Sequence, residues 1–446
     1  MTHPNDSTLY ANHVATLCAN YDRILIEADV RSAIVTAGQL RYQFLDDRDY
    51  DFAANPHFKH WLPLTAHPKC AVIYTQGARP ALLYFQEADY WHLPPSDPDG
   101  VWVGAFDIHV CRDDDELKAT AAKLADDAIV IGESRDAEFF NGAEAAAKEV
   151  FDQLHEARTI KTEYELACMR AAQQMACHGH IAAANAFADG CSEYDIHAAY
   201  LDAMRQRENE LPYNSIVALN EHAAVLHYQY LDRDAPDEHR AFLIDAGASY
   251  AGYAADITRT YGNGDADFGG LLDAMETLQL AMCDDVRAGI DYRSLHLGCH
   301  ERLANVLLDT GIAKSGVSAE QLVDDRVTWA MFPHGLGHFL GLQVHDVGGL
   351  SKASAKELIA KPEGHEALRL TRTLAADEVL TIEPGCYFIP LLLEPLRADS
   401  ETAALLNWPL IDKLTPFGGI RIEDDVRVLD GGRENLTRNA FNGLGC

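Results

Sequence analysis

Asp245, Asp256, His338, Glu383 and Glu423 lie far apart in the chain, yet each sits in a segment that reads as a strand or a turn. Four carboxylates and one imidazole make a ligand set of hard oxygens with one nitrogen. If the fold brings them together, that set suits a pair of divalent cations, Mn2+ or a similar ion, better than a structural zinc, which favours Cys and His. A two-metal site activates water for hydrolysis.

At 446 residues the chain is too long for one small core, and two domains are expected. Asp plus Glu is 69 and Lys plus Arg 36, a formal charge of 36 − 69 = −33. Such a surface repels nucleic acid and anionic membranes, so neither is an expected partner. It reads as a highly soluble cytoplasmic protein. The opening MTHPNDSTLY is polar and lacks the apolar stretch of a signal peptide. No apolar run approaches the ~20 residues of a membrane span. The ten cysteines form no CxxC pair, and free thiols in a reducing cytoplasm explain them.

Residues 1–155 alternate helical and strand-like pieces. A helix is expected from about Tyr10 to Ala28, then strands at 33–36, 70–74, 81–85 and 128–132, the middle two forming a hairpin, then a helix from about Ala137 to Leu154. This is a small α/β domain without an obvious catalytic cluster. Leu166, Met169, Ala172 and Met175 recur at helical spacing in a long helix over 161–188, which puts the domain boundary at 157/158. Helices are expected at about 192–206, 268–288 and 292–308. Strands should dominate from Tyr213 onward, giving an α+β class for the segment 158–446.

Ala241–Gly247 and Tyr253–Thr260 read as strands around a turn at 249–252. A hairpin centred between Tyr250 and Ala251 would set Asp245 directly opposite Asp256, roughly 5 Å apart on one face. Two like charges that close are destabilising unless a cation sits between them. Taken alone, the pair is equally consistent with two solvated loop aspartates. The segment 332–346 interleaves His334, His338 and His345 with Gly335, Gly337 and Gly341, which let the backbone approach a ligand closely. It is not a dinucleotide fingerprint. Glu383 ends an apolar strand just before Pro-Gly. In 419–426, Ile420, Ile422 and Val426 share one face, leaving Arg421 and Glu423 on the other. A surface charge at a strand end is the plain alternative for each glutamate. It suits Asp424 and Asp425, and suits Glu423 poorly.

Leu243-Ile-Asp-Ala-Gly, Ala255-Asp-Ile-Thr-Arg-Thr, Pro333-His-Gly-Leu-Gly-His, Thr381-Ile-Glu-Pro-Gly and Gly419-Ile-Arg-Ile-Glu-Asp occur in an order that resembles the pita-bread metallopeptidases. That group holds methionine aminopeptidase, aminopeptidase P and prolidase. The first 157 residues resemble the N-terminal domain of the creatinase and prolidase type. Gln43-Phe-Leu-Asp-Asp, Asn55-Pro-His-Phe-Lys, 212–220 and 341–349 are similar to bacterial Xaa-Pro dipeptidases, including the organophosphorus acid anhydrolases among them.

The resemblance implies a fold, a chemistry and a set of roles. Asp245 would chelate one metal, His338 and Glu383 the second, and Asp256 and Glu423 would bridge both. The ions would be Mn2+, and a hydroxide between them would be the nucleophile. Glu383 would shuttle the proton to the leaving amine. His345 and His227 would face the scissile carbonyl, His334 the leaving proline, and Arg421 would stabilise the far end. Arg369 would read the free carboxylate of a dipeptide. Tyr213 and Tyr292 match pocket aromatics, and Asp47 a residue thought to reach the substrate amine, across a dimer. Phe339 departs from the histidine common in relatives and should alter the pocket wall. The implied activity is Xaa-Pro dipeptide hydrolysis by a cytoplasmic homodimer, with organophosphate hydrolysis as a side reaction. Aminopeptidase P, acting on longer peptides, is the alternative.

Overall fold

The computed structural model describes residues 3–140, 144–351 and 358–445. The chain forms two compact units, Met1–Met169 with Tyr250–Tyr253, and Arg170–Ser249 with Ala254–Cys446.

The first unit is built on a six-stranded mixed sheet in the order 107–111, 81–85, 71–75, 32–36, 128–131, 144–145. Ser32–Thr36 is buried at every position, as a strand covered on both faces must be. It pairs antiparallel with Ala71–Thr75 and parallel with Ala128–Ile131. The expected hairpin is present, with Ala71 opposite Leu83. Helix Ser7–Glu27 starts at Asp6, whose carboxylate accepts the Thr8 and Leu9 N–H groups left open by the first turn. Its buried face, Tyr10, Val14, Leu17, Tyr21, Ile24 and Leu25, follows the helical period.

The helix expected over 137–154 is not one helix. Ser134–Phe139 is helical, Glu144–Ala145 pairs parallel at the sheet edge, and a new helix runs Lys148–Ala157. Residues 141–143 of that expectation lie outside the described residues. The Ala/Glu-rich composition suggested a continuous helix, and pairing with Ile129 and Val130 took precedence over propensity.

In the second unit, Thr258–Gly262, Ala241–Asp245 and Ile216–Leu219 form one antiparallel sheet, and Val379–Ile382, Asp424–Leu429 and Gly432–Asn435 another. Gly385–Tyr387 pairs with Gly419–Arg421. A bridge between Thr258 and Glu423 ties the first sheet to the segment leading into the second. Helices Ala266–Asp284 and Tyr292–Asp309 share an apolar core with these strands through Leu271, Met275, Leu303, Leu380, Ile420 and Ile422. Beyond Tyr213 strands do not dominate: eight helices follow among the described residues. Most are five to nine residues long, too short to show a period in the sequence.

The hairpin carrying the two aspartates reverses one residue later than expected. Ala251 and Gly252 both have positive φ (52° and 88°), the requirement of a tight two-residue hairpin turn. Asp245 therefore pairs with Thr258 and not with Asp256. The slip is two residues in register, so Asp256 stays on the same face, diagonal to Asp245.

The histidine segment is fixed by a strand-like run that has no strand signal. Leu340 N donates to Val379 O, Thr381 N to His338 O and Glu383 N to Leu336 O at 2.9–3.0 Å. This pairing puts His338 beside the end of the strand that carries Glu383. Gly337 makes the approach possible, because a Cβ there would stand 2.1 Å from the Thr381 carbonyl oxygen. Phe339 points the other way, into the core at 1% exposure. It does not line the cavity, contrary to the expectation that it would alter the pocket wall: alternation along the paired segment sends its side chain away from His338.

Gly337→Ala is expected to cost about 1–3 kcal/mol through overpacking and to displace His338. Thermal unfolding measured beside Mn2+ binding should show the metal affinity falling together with the melting temperature.

Candidate metal centre and active site

The five expected positions converge on one cavity of about 610 Å³ in the second unit. Asp245 comes from the end of one strand and Asp256 from the returning arm of its hairpin. His338 comes from the paired glycine-rich segment, Glu383 from just beyond Ile382, and Glu423 from the link between strands 419–421 and 424–429. Donor atoms of Asp256, His338 and Glu423 all lie within 4.8 Å of one another, and these three residues are buried.

Main-chain contacts orient the imidazole. His338 Nδ1–H donates to its neighbour's carbonyl, Phe339 O, at 2.9 Å. That leaves Nε2 to face the carboxylates, 3.4 Å from Asp256 Oδ2 and 3.6 Å from Glu383 Oε1. A neutral imidazole whose other nitrogen faces two carboxylates is the form that binds metal. The Thr258 hydroxyl donates to Glu423 Oε2 at 2.7 Å and accepts from Arg421 Nε at 3.3 Å. Arg421 also donates to Asp245 Oδ2 at 2.7 Å. Asp245 Oδ1 is buried without a hydrogen-bond partner of ordinary geometry.

The electrostatics show what the cluster can hold. Burial pushes Glu383 up to about 7, with His338 opposing the rise and Asp256 adding to it. Glu423 is held well above the usual carboxylate range by burial, then by Asp256, Glu383 and Asp245. Burial raises Asp245 although Arg421 opposes it. Burial would lower His338, yet Asp256 and Glu383 keep it above its ordinary value. Carboxylates crowded this closely need protons or cations between them. Four oxygen donors with one imidazole, one oxygen unpartnered, fit hard divalent cations.

The other expected residues fall into two groups. His227, His334, His345, Arg369, Arg421 and Tyr213 line the same cavity. His345 packs edge-on against His338, ring centroids 4.3 Å apart, and burial followed by His338 brings its pKa down to about 4. Arg369 is exposed. Tyr292 does not line the cavity: it is fully buried, its hydroxyl donating to Thr381 O at 3.1 Å. It braces the strand that leads to Glu383 and is no pocket aromatic. Every residue lining the cavity belongs to the second unit. Asp47 belongs to the first, exposed in a loop closed by Gln43 N donating to Arg48 O at 2.8 Å.

Asp424 and Asp425 overturn the expectation of surface charges, for both are fully buried. Their strand is the middle one of three, paired along both edges, and is no exposed strand end. Asp424 accepts from Arg259 at 2.8 Å and Arg438 at 2.7 Å. Asp425 accepts the Asp256 N–H at 2.9 Å and the Gln173 amide. Tyr387 is a site residue that sequence reasoning missed. Its hydroxyl accepts from Arg421 at 2.9 Å and donates to His334 Nε2 at 2.8 Å. That tautomer follows because His334 Nδ1–H donates to Gly335 O at 2.9 Å. Burial and then Arg421 lower His334 to about 3. Period-2 alternation puts Thr258 on the face of Asp256, a signal that sequence reasoning left unused. Tyr387 had only its place on a short strand after Glu383.

The sequence matches two families. Residues 8–155 match the Xaa-Pro dipeptidase N-terminal domain, and residues 167–430 match metallopeptidase family M24. The chain belongs to metallopeptidase family M24. It is 47% identical over 442 residues, 99% of each chain, to the Xaa-Pro dipeptidase of Xanthomonas campestris pv. campestris (strain B100). To that of Stenotrophomonas maltophilia it is 46% identical over 442 residues, again 99% of each. A variant of Escherichia coli aminopeptidase P solved in complex with substrate superposes with a TM-score of 0.72 at 23% identity, covering 95% of this chain and 94% of that one. The expected pita-bread fold is therefore the fold of this chain.

The raised carboxylates give a stability signature with a definite sign. Glu383 takes up a proton on folding, because its folded pKa of about 7 exceeds its unfolded value. Its favourable contribution is therefore present at low pH and lost as pH rises through about 7. A divalent cation replaces those protons. The gain in melting temperature on adding Mn2+ to chelator-treated protein should be larger at pH 8 than at pH 5.5, read by differential scanning calorimetry.

Proposed function

We propose that this chain is a metal-dependent dipeptidase that hydrolyses Xaa-Pro dipeptides, with two divalent cations, Mn2+ in the cell, held by Asp245, Asp256, His338, Glu383 and Glu423. The observation that carries the reading is the convergence of four carboxylates and an oriented imidazole on one cavity. The near full-length likeness to Xaa-Pro dipeptidases supports the substrate class. When bound, the cations supply Lewis acidity that makes water nucleophilic near neutral pH.

The side chains then have distinct tasks. Glu383 takes the proton from the attacking water and passes it to the proline nitrogen. His345, a free base at neutral pH, and His227 donate to the carbonyl oxygen as charge develops on it. His334 faces the leaving proline. Arg421 positions Asp245 and, through Tyr387, His334. Tyr213 forms part of the wall. Arg369, exposed on the cavity lining, pairs with the free carboxylate of the dipeptide.

We assign residues 1–157 and 158–446 as the supporting and catalytic domains, in a cytoplasmic homodimer. Nine cysteines among the described residues stand outside any disulfide, which suits a reducing compartment. Phe44, Leu45, Tyr90, Trp91 and Leu93, all strongly exposed, suit a surface that is covered in an oligomer. Organophosphate hydrolysis is proposed as a side reaction, since the same activated water can attack phosphorus.

Mn2+-supplemented hydrolysis of Leu-Pro beside Leu-Pro-Pro, before and after EDTA, tests the assignment. Chelator-sensitive cleavage of the dipeptide is expected, and cleavage of the tripeptide alone would make the chain an aminopeptidase P. Arg369→Ala should lower kcat/KM for Leu-Pro roughly 100-fold, the size of a lost charge-assisted hydrogen bond of about 3 kcal/mol, and spare the tripeptide. Equal loss on both substrates would remove Arg369 as the carboxylate reader. Asp256→Ala or Glu423→Ala should abolish both metal occupancy and activity. Near wild-type turnover in either variant would refute the two-metal reading.

A further inference from the structure

Helix Tyr292–Asp309 carries His296 and His300 one turn apart on the same face. The loop residue His365 closes against them. One ring nitrogen from each of the three lies within 4.8 Å of the other two. The ring centroids are 5.0, 4.7 and 4.9 Å apart. None of the three lines the cavity described above.

Hydrogen bonding accounts for only part of this cluster. His300 Nδ1 meets the Thr328 hydroxyl at 3.2 Å, but its Nε2 is buried with no partner. His296 Nε2 faces His365 Nδ1 at 2.8 Å, but its Nδ1 is buried with no partner. His296 and His300 are 1% and 2% exposed, so bulk solvent does not reach them. An unmet buried polar atom costs about 1–3 kcal/mol; a cation bound at His300 Nε2 relieves that one, while His296, which meets His365 through Nε2, keeps its Nδ1 unmet. Burial, followed by the neighbouring histidines, lowers His296 to about 2 and His300 to about 4. Both rings are therefore neutral at pH 7, with lone pairs available.

We infer that His296, His300 and His365 form a separate metal site that takes an imidazole-preferring transition ion such as Zn2+. Three nitrogens without a carboxylate suit Zn2+, Cu2+ or Ni2+ and not Mn2+, which prefers oxygen. Bonds of about 2.0–2.1 Å at the tetrahedral angle place ligands roughly 3.3 Å apart. His365 Nδ1 then has to withdraw from His296 Nε2 by a few tenths of an ångström, and His365 is the half-buried, loop-borne member of the three. The Arg326 charge acts on His365 and opposes a cation. Affinity therefore rests on the ion's preference for nitrogen, which further separates this site from the carboxylate centre. The Phe332 ring lies 5.1 Å from His300 and 4.7 Å from His334. The site is thus one aromatic ring behind a histidine of the cavity.

Metal stoichiometry provides the test. The chelator-stripped full chain and its His365→Gln variant are dialysed against Zn2+ and analysed for bound metal. The wild type is expected to hold one equivalent more than the variant, whatever the number at the carboxylate centre. Mn2+-supported Leu-Pro hydrolysis by the variant would report an intact fold. Equal stoichiometry would overturn the inference. A second measurement needs no variant: Co2+ added to the wild type should produce the intense visible bands of a tetrahedral nitrogen-rich ion. Only the weak bands of a higher-coordinate, oxygen-rich ion would overturn it as well.

Discussion

Mutual repulsion among buried carboxylates is the interaction on which the second unit depends. Asp245, Glu383 and Glu423 are all raised, chiefly by burial, in a chain whose formal charge is already −33. Nothing in hydrophobic packing favours such an arrangement. It persists because the strands that carry these residues are tied to one another by backbone pairing. Asp245 pairs with Thr258 and Thr258 bridges to Glu423. Each acid is thus held by a rigid element, and its partners cannot drift apart to relieve the strain.

Beneath the acids lies a second layer that distributes positive charge with direction. Arg421 is shared among Asp245, Thr258 and Tyr387. Arg259 spans Thr258 O, Glu423 O and Asp424. Asp425 in turn accepts the main-chain N–H of Asp256. Main-chain position, not only side-chain chemistry, is thereby fixed at two of the converging residues. In a low-dielectric interior, pairs that are fully hydrogen-bonded rigidify the structure around them.

Much of this was legible in the sequence, and the failures have physical causes. The five converging positions stood out because a charged residue in an apolar strand is uncommon, and period-2 alternation placed Glu423 and Arg421 together. Alternation survives a register error, which is why Asp256 keeps its face although the turn at Ala251–Gly252 lies one residue later than expected. Asp424 and Asp425 were misread because adjacent charges at a strand end suggest solvent, and only the sheet order shows that their strand is central. Tyr292 was misread because a sequence match cannot tell a wall residue from the brace behind it. The short helices beyond Ala319 were invisible because two turns carry almost no periodic signal. The His296–His300 pair was visible at i, i+4, but its third member comes from a loop whose approach no local pattern encodes.

The contact that sets the His338 tautomer comes from the carbonyl of residue 339, a group every amino acid possesses. The metal-facing nitrogen is therefore indifferent to which side chain stands at 339, provided the main-chain path through Gly337 and Leu340 is kept. Phe339 uses that freedom to fill the core. Substitutions at 339 should accordingly be tolerated or rejected on volume and polarity in the core, which leaves the position open to apolar drift while the ligand beside it stays invariant in geometry.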